Sequence, residues 1–277
     1  GAAVLGMGSL GAGTLAANSD LDLIVIFDPD GVEASVGPKP LASGAYYARL
    51  TQAFITALTA LTGQGRLYEV DMRLRPSGRK GPVATSLQAF VHYQSQEAWT
   101  WEHLALTRGR PVAGDARLME EVEAFRRDLV ARPRDRDKVL GDVADMRARL
   151  ASAFPRQAGL DDLKRGPGAM QDIELLASTA ALLAGRPARG PSRQLAAGAV
   201  EMGVNPDQTE ALLALYSRLS RLRQAVVLSG GAPGPSTGAE RFVLSAGAAE
   251  TTDILKAELL REMAWANETI AALLSPD

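Results

Sequence analysis

Apolar and polar positions divide the chain into a mixed part and a helical part. The opening Gly1-Ala-Ala-Val-Leu5 is strand-like, and a second apolar run closes at Phe27. Between them lie a Gly-Ser turn at Gly8-Ser9 and a stretch of small residues that can begin a helix. The pattern predicts a strand over residues 20–26, in which alternation puts Asp20 and Asp22 on one face. Asp28 to Gly44 is rich in Pro and Gly and reads as a loop. From Ala45 to Leu61 the residues Tyr47, Leu50, Phe54, Leu58 and Leu61 recur at helical spacing, which predicts a helix packed on the core and ending at Thr62-Gly63. Leu67 to Arg75 then alternates as a strand: Val70, Met72 and Leu74 face one way, and Glu69, Asp71, Arg73 and Arg75 the other. Ser86 to Arg108 is predicted as one helix.

Beyond Asp115 the periodicity is helical almost throughout. Arg117 to Ala131 forms one helix. Val139, Val143, Met146, Leu150 and Phe154 mark another, and Leu212, Leu215, Tyr216, Leu219, Leu222 and Val226 a third. Asp253 to Leu274 is the last, and Gly230 to Pro235 reads as a linker or exposed loop. The change of pattern near residues 132–137 places a boundary between a domain over 1–134 and a helical bundle over 135–277. The fold class expected is α+β, a mixed sheet with helices followed by an all-α domain.

Composition narrows this picture. The 277 residues are ample for a real core. A net charge of −2 gives no global basic field toward nucleic acid or anionic membrane, so neither is expected as a partner. The longest apolar stretches are far too short to span a bilayer, and the apolar opening does not read as a signal peptide. The chain has no cysteine, which excludes disulfide and thiol chemistry and accords with a cytoplasmic protein. Its abrupt opening is that expected of a piece cut from a longer protein.

The candidate chemistry is carboxylate-rich. Asp20 and Asp22, about 6–7 Å apart along one strand face, repel each other unless a cation lies between them. Hard divalent ions take such oxygen ligands, usually beside substrate phosphates. Gly8 and Ser9 precede the expected helix, where backbone N–H groups favour phosphate. Gly6, Gly8 and Gly11 also spell Gly-x-Gly-x-x-Gly, but a dinucleotide site predicts one acidic residue at the end of the next strand, whereas here a carboxylate pair stands at its start. If the Leu67–Arg75 strand lies beside the Asp20–Asp22 strand, Asp71 supplies a third carboxylate, Glu69 is a weaker candidate, and Arg73 and Arg75 can meet nucleotide phosphates. The plain alternatives are a turn aspartate, an edge-strand charge and a solvated polar face.

Other features divide similarly. Ser77 to Pro82 is a basic turn, either a hairpin loop or a lid over triphosphate. Trp99 and Trp101 read as core or interdomain packing, and His92 and His103 as structural. Arg108 and Arg110 are candidates for substrate contact. In Asp162 to Glu174, a lysine and a Gly/Pro turn lead to Asp172 and Glu174 at the start of an apolar helix, where helix capping is the preferred reading.

A Gly-Ser turn followed by Asp-x-Asp is the signature of the nucleotidyltransferase superfamily that includes DNA polymerase β. The motifs together resemble the bacterial glutamine-synthetase adenylyltransferase family: Gly6-Met-Gly-x-Leu-Gly with Ser19-Asp-Leu-Asp-Leu23, and Tyr68-Glu-Val-Asp-Met-Arg-Leu-Arg-Pro-Ser-Gly78. Glu97-Ala-Trp-Thr-Trp-Glu-His-Leu-Ala-Leu-Thr-Arg108, Pro111-Val-Ala-Gly-Asp115, and Asp162-Leu-Lys with Asp172-Ile-Glu add to it. The resemblance runs to about residue 185 and implies a polymerase-β-like domain followed by a helical bundle. It further implies one half of an enzyme with two such domains. One half transfers AMP from ATP to a tyrosine of glutamine synthetase; the other removes it by phosphorolysis, giving ADP. Both answer to a nitrogen-signalling regulatory protein and glutamine. The Trp-Thr-Trp-Glu-His stretch resembles the adenylylating, C-terminal half.

On that resemblance Asp20, Asp22 and Asp71 would bind two Mg²⁺ ions, with Mn²⁺ as the alternative, Gly8-Ser9 would cradle triphosphate, and Lys164, Asp172 and Glu174 would lie over the cleft. The chain departs from the family at Gly8-Ser-Leu-Gly-Ala-Gly-Thr14, where Gly-Lys-Leu-Gly-Gly followed by a basic residue and Glu is usual, and at Gly168-Ala169, where the family has two glycines. The alternatives it leaves are the AMP-removing half and a weakened domain that docks glutamine synthetase or the regulatory protein.

Overall fold

The computed structural model describes residues 1–17, 19–63, 65–153, 162–230 and 237–275. Phe154 and the Gly231–Pro235 part of the expected linker lie outside the described residues. The chain divides into two compact units, Gly1–Arg132 and Pro133–Asp277.

The first unit is a mixed five-stranded sheet with helices on both faces. In chain order it has β1 (Ala2–Gly6), α1 (Gly8–Ala12), β2 (Leu21–Phe27), α2 (Ser43–Leu58), β3 (Val70–Asp71) and β4 (Ala84–Ser86). α3 (Leu87–Gln96), α4 (Thr100–Thr107), β5 (Arg110–Gly114) and α5 (Ala116–Ala131) complete it. The strand order is β3-β2-β1-β5, with β4 also paired to β2. β1 runs antiparallel to β2 and β5, whereas β3 and β4 run parallel to β2. β2 is therefore central, sharing one edge with β1 and the other with β3 and β4 in succession.

Alternation along β1 and β2 sorts the core into two layers. Ala3, Leu5, Ile24 and Ile26 pack with Phe90, Leu106, Leu118, Val122 and Leu129 from α3, α4 and α5. Leu23, Val25 and Phe27 pack on the other face with Met72, Ala84 and the partly buried Tyr47, Phe54, Ile55 and Leu58 of α2. Tyr47 stacks on Phe27 with ring centroids 4.5 Å apart. The core-facing stripe of α2 is narrower than its periodicity predicts, because Leu50 and Leu61 are exposed, and Leu61 lies beyond the helix.

Two predicted elements are corrected. The alternating run Leu67–Arg75 contributes only Val70 and Asp71 to the sheet. The chain turns after Met72, with Ser77 and Gly78 at positive φ, and Arg75 donates to the Met72 and Gly81 carbonyls inside this turn, at 2.7 and 3.2 Å. The predicted helix over Ser86–Arg108 is two helices. Ser86 caps the first through Ala89 N–H, and Glu102 accepts from Trp99 N–H, starting the second. Re-aiming the chain there turns His103, Leu104 and Leu106 inward and leaves Trp99 70% and Trp101 42% exposed. The tryptophans are not core residues.

The second unit contains α6 (Arg136–Ala153), α7 (Met170–Leu183), α8 (Pro191–Met202), α9 (Pro206–Leu228), α10 (Thr237–Gly247) and α11 (Thr252–Leu273). α7 is its buried axis: Ile173, Leu176, Ala177, Ala180, Ala181 and Leu182 are fully buried. Small residues let α8 approach closely, and a Cβ on Gly198 would lie 2.1 Å from the Ala180 carbonyl oxygen. Among the described residues no helix is long and apolar enough to cross a membrane.

Candidate active site

The site candidates of the first unit gather where β1 turns into α1 and where β2 begins. Met7 N–H donates to the Asp22 carbonyl at 2.8 Å, fixing the start of the turn against β2. Gly8 follows at φ +51°, and a Cβ there would stand 2.1 Å from Asp22 Oδ2. The Asp22 carboxylate thus lies directly against the backbone of the turn, an approach only glycine permits. Gly11 is equally constrained, because a Cβ would fall 2.3 Å from the Arg108 carbonyl oxygen and 2.4 Å from that of Gly6. The glycine spacing in this turn serves close packing and carboxylate access. Ser9 sits in the first turn of α1, partly buried.

The parallel β2–β3 pair sets Leu21 opposite Val70 and Asp22 opposite Asp71. Register partners in a parallel pair point to the same face, on strands about 4.8 Å apart. Leu21 and Val70 join the apolar layer, so the two aspartates share the opposite face. Leu21 N–H also bonds the Glu69 carbonyl at 2.8 Å, extending the pairing one step beyond the strand. Asp20 precedes β2 and is exposed.

Asp71 is held by its neighbour. Its Oδ1 accepts from Arg73 N–H at 2.8 Å, and its Oδ2 accepts from Arg73 Nε at 2.7 Å, with the terminal guanidinium nitrogen 2.5 Å away. Burial pushes the Asp71 carboxyl up, but hydrogen bonds from Arg73 and the charges of Arg73 and Arg79 outweigh it and hold the group below the usual carboxylate range. The Arg73 guanidinium is pushed up by its hydrogen bond to Asp71 and by that charge, with lesser contributions from Asp22 and Asp20. Arg73 therefore holds Asp71 directly and feels the charges of Asp22 and Asp20 more weakly.

The remaining candidates are placed elsewhere. The Glu69 side chain pairs with Arg66 at the surface. Arg75 is engaged by turn carbonyls, as described. Arg110 lies opposite Gly6 across β1–β5 and donates to the Leu10 carbonyl of α1 at 3.1 Å. Arg108 is half-buried, with its carbonyl packed on Gly11. In the second unit Lys164 is exposed and its carbonyl accepts from Gln171 N–H at 2.9 Å. Asp172 accepts from Gly168 N–H at 2.9 Å and from Arg147 Nε and a terminal nitrogen at 3.2 and 2.7 Å. Glu174 accepts from the Tyr216 hydroxyl at 3.0 Å. Asp172 and Glu174 thus have separate partners.

Two arginines went unnoticed in the sequence. Arg126 is 1% exposed and donates to the Leu106 and Thr107 carbonyls at the end of α4 and to both oxygens of Glu123. Arg147 joins Asp172 to Asn267, whose Oδ1 accepts at 2.6 Å. The available signal was a cation inside an apolar stripe: Arg126 follows Leu118 and Val122 at helical spacing, and Arg147 lies four residues after Val143. His103, buried with Nε2 donating to the Gln94 carbonyl at 2.8 Å, is structural, and His92 stands at the surface near Glu97.

Among the described residues no three His, Asp or Glu side chains converge closely enough to hold a metal ion among them. The donors near β2 still suit a hard divalent cation in kind: Asp22 and Asp71 offer carboxylate oxygens from adjacent strands on one face, and Asp20 is exposed two residues before Asp22. Arg73 is what occupies Asp71.

Residues 1–125 match the family described as Glutamate-ammonia ligase adenylyltransferase. A protein of Mesorhizobium japonicum is 46% identical over 228 residues, covering 79% of this chain and 23% of that protein. One from Brucella suis is 45% identical over 231 residues, 82% of this chain and 23% of that protein. One from Xanthobacter autotrophicus is 48% identical over 177 residues, 63% and 18% respectively. Each is named bifunctional glutamine synthetase adenylyltransferase/adenylyl-removing enzyme, so the chain's kin are a class of nucleotidyltransferase. Residues 1–125 belong to the glutamate–ammonia ligase adenylyltransferase family. It spans about a quarter of the length of the curated relatives it matches.

Proposed function

We propose that this chain is the adenylylating half of such an enzyme, a polymerase-β-like domain over residues 1–134 with a helical domain over 135–277. It transfers AMP from ATP to a tyrosine of glutamine synthetase, in the cytoplasm, under control of a nitrogen-signalling regulatory protein. The observation that carries this is the Asp22 carboxylate seated against the Gly8 turn and in register with Asp71. A glycine turn at a helix start offers backbone N–H groups to phosphate, and the carboxylates beside it suit the accompanying cation.

In this reading Asp20, Asp22 and Asp71 would hold Mg²⁺ or Mn²⁺, which would supply neutralisation of phosphate charge and a more acidic attacking hydroxyl. Gly8 and Ser9 bind the triphosphate and orient it in line. The tyrosine hydroxyl releases its proton to solvent, its oxygen bonds to the α-phosphorus as the bond to the bridging oxygen breaks, and pyrophosphate leaves. Asp71 assists the hydroxyl. A carboxyl held below the usual range is a weak base and a good ligand, so its environment favours coordination over proton capture. Arg73 meets the phosphates once it leaves Asp71.

The test is transfer of label from α-labelled ATP to unmodified glutamine synthetase with Mg²⁺, beside the Asp20→Asn, Asp22→Asn double variant. Label that vanishes in the variant supports the assignment; equal labelling by the variant removes these ligands from it. ADP formed from adenylylated synthetase and phosphate, with no forward labelling, would make this the removing half. Mg²⁺-dependent ATP binding by calorimetry separates an enzyme from a docking domain, which should show none.

A further inference from the structure

Arg73 has two incompatible tasks in the arrangement described. Its backbone N–H holds Asp71 Oδ1, and its guanidinium sits on Asp71 Oδ2 through Nε and a terminal nitrogen. A divalent cation coordinated to that oxygen would stand only about 4–5 Å from the guanidinium held on it, and the two positive charges would repel there, so the arginine opposes metal entry. The Arg73 side chain is 64% exposed whereas that of Asp71 is 15% exposed, so the arginine can swing into solvent while the carboxylate stays. The backbone bond from Arg73 keeps Asp71 oriented when the guanidinium departs.

We propose that Arg73 is a displaceable counter-ion that holds Asp71 out of the cation site until a divalent ion takes its place. This rests on the reading of Asp20, Asp22 and Asp71 as cation ligands. The device has a physical use: Asp22 and Asp71 stand in register on adjacent strands and repel one another without a cation, and the guanidinium on Asp71 relieves that repulsion. It also makes metal entry and phosphate binding mutually supportive, since the arginine released from Asp71 carries a free charge that a phosphate can take up.

The experiment is direct Mn²⁺ binding to the whole chain, by calorimetry or by paramagnetic measurement of free Mn²⁺, with no nucleotide present. Four proteins are compared with the parent: Arg73→Gln, Arg79→Gln, Arg73→Gln with Asp71→Asn, and Asp22→Asn. Arg73→Gln should bind Mn²⁺ about threefold to tenfold more tightly than the parent, as expected for removing one nearby charge in a partly solvated site. The Asp71→Asn change should abolish that gain. Arg79→Gln removes an equal charge from the same turn without touching Asp71, and should give much less. An equal gain in Arg79→Gln, no gain in Arg73→Gln, or a gain that survives Asp71→Asn would overturn the proposal while leaving the metal site standing. Mn²⁺ binding that is undiminished in Asp22→Asn, or absent from every protein, would instead remove the metal site itself, and the proposal with it.

Discussion

Gly8 and Asp22 meet so closely that no side chain fits between them: a Cβ on Gly8 would lie 2.1 Å from Asp22 Oδ2. The contact joins the start of α1 to the start of β2. Gly8→Ala is expected to destabilise the protein by about 1–3 kcal/mol through strain at positive φ plus the clash. Gly13 supplies the reference, because it too has positive φ but no atom within 4 Å of a built Cβ. Gly13→Ala should cost only about 1 kcal/mol. Urea denaturation of both variants checks this, and equal costs would mean that Asp22 simply moves aside.

Arg126 is expected to matter for stability. Arg126→Met leaves two carbonyls at the end of α4 and the Glu123 carboxylate without their donor. Because Glu123 retains some exposure, a loss of about 2–4 kcal/mol is expected, toward the lower end of what breaking a buried pair costs. Adding Glu123→Gln should recover part of it. Equilibrium unfolding of the two variants checks the order; a double variant no better than the single would place the cost in the carbonyls alone.

Glu102 should give a measurable pH dependence. Burial pushes its carboxyl up, and hydrogen bonds from Trp99 N–H and Tyr93 only partly offset this. A carboxyl raised in the folded state favours folding while protonated. Its contribution is therefore greatest at low pH and falls as pH rises above the ordinary glutamate value of about 4.3. Glu102→Gln can still accept from Trp99 N–H, and should flatten the decline of the urea midpoint between about pH 4 and pH 7. An unchanged slope would mean that the decline has another source.

Arg147, Asp172 and Asn267 should behave as one network. A double-mutant cycle with Arg147→Met and Asp172→Asn is expected to show a coupling of about 1–3 kcal/mol, since the pair is mostly buried and forked. Thermal unfolding of the four proteins measures it. Additive effects would mean that the two side chains act independently despite their contact.

Several features were legible in the residues because they are local. The glycine turn, the Asp-x-Asp where β2 begins and the motif run through Asp115 identify the family by type and spacing, and the mixed pattern followed by helices fixes the fold class. Length of elements was less legible. Alternation over Leu67–Arg75 was real, but it could not reveal that Ser77 and Gly78 adopt positive φ and that Arg75 ties the chain into a turn. Likewise the helical period of Ser86–Arg108 runs through a break made by Glu102 bonding back to Trp99 N–H, and that break exposes both tryptophans.

The sequence by itself determined which groups are present and how far apart they stand along the chain, because strand and helix periods follow from backbone geometry. Only the tertiary structure decided which groups meet. Asp22 meets Gly8, Asp71 aligns with Asp22 across a parallel pair, and Arg73 takes Asp71 for itself. Pairing between strands far apart in the chain depends on the packing of whole layers, and no local pattern records it.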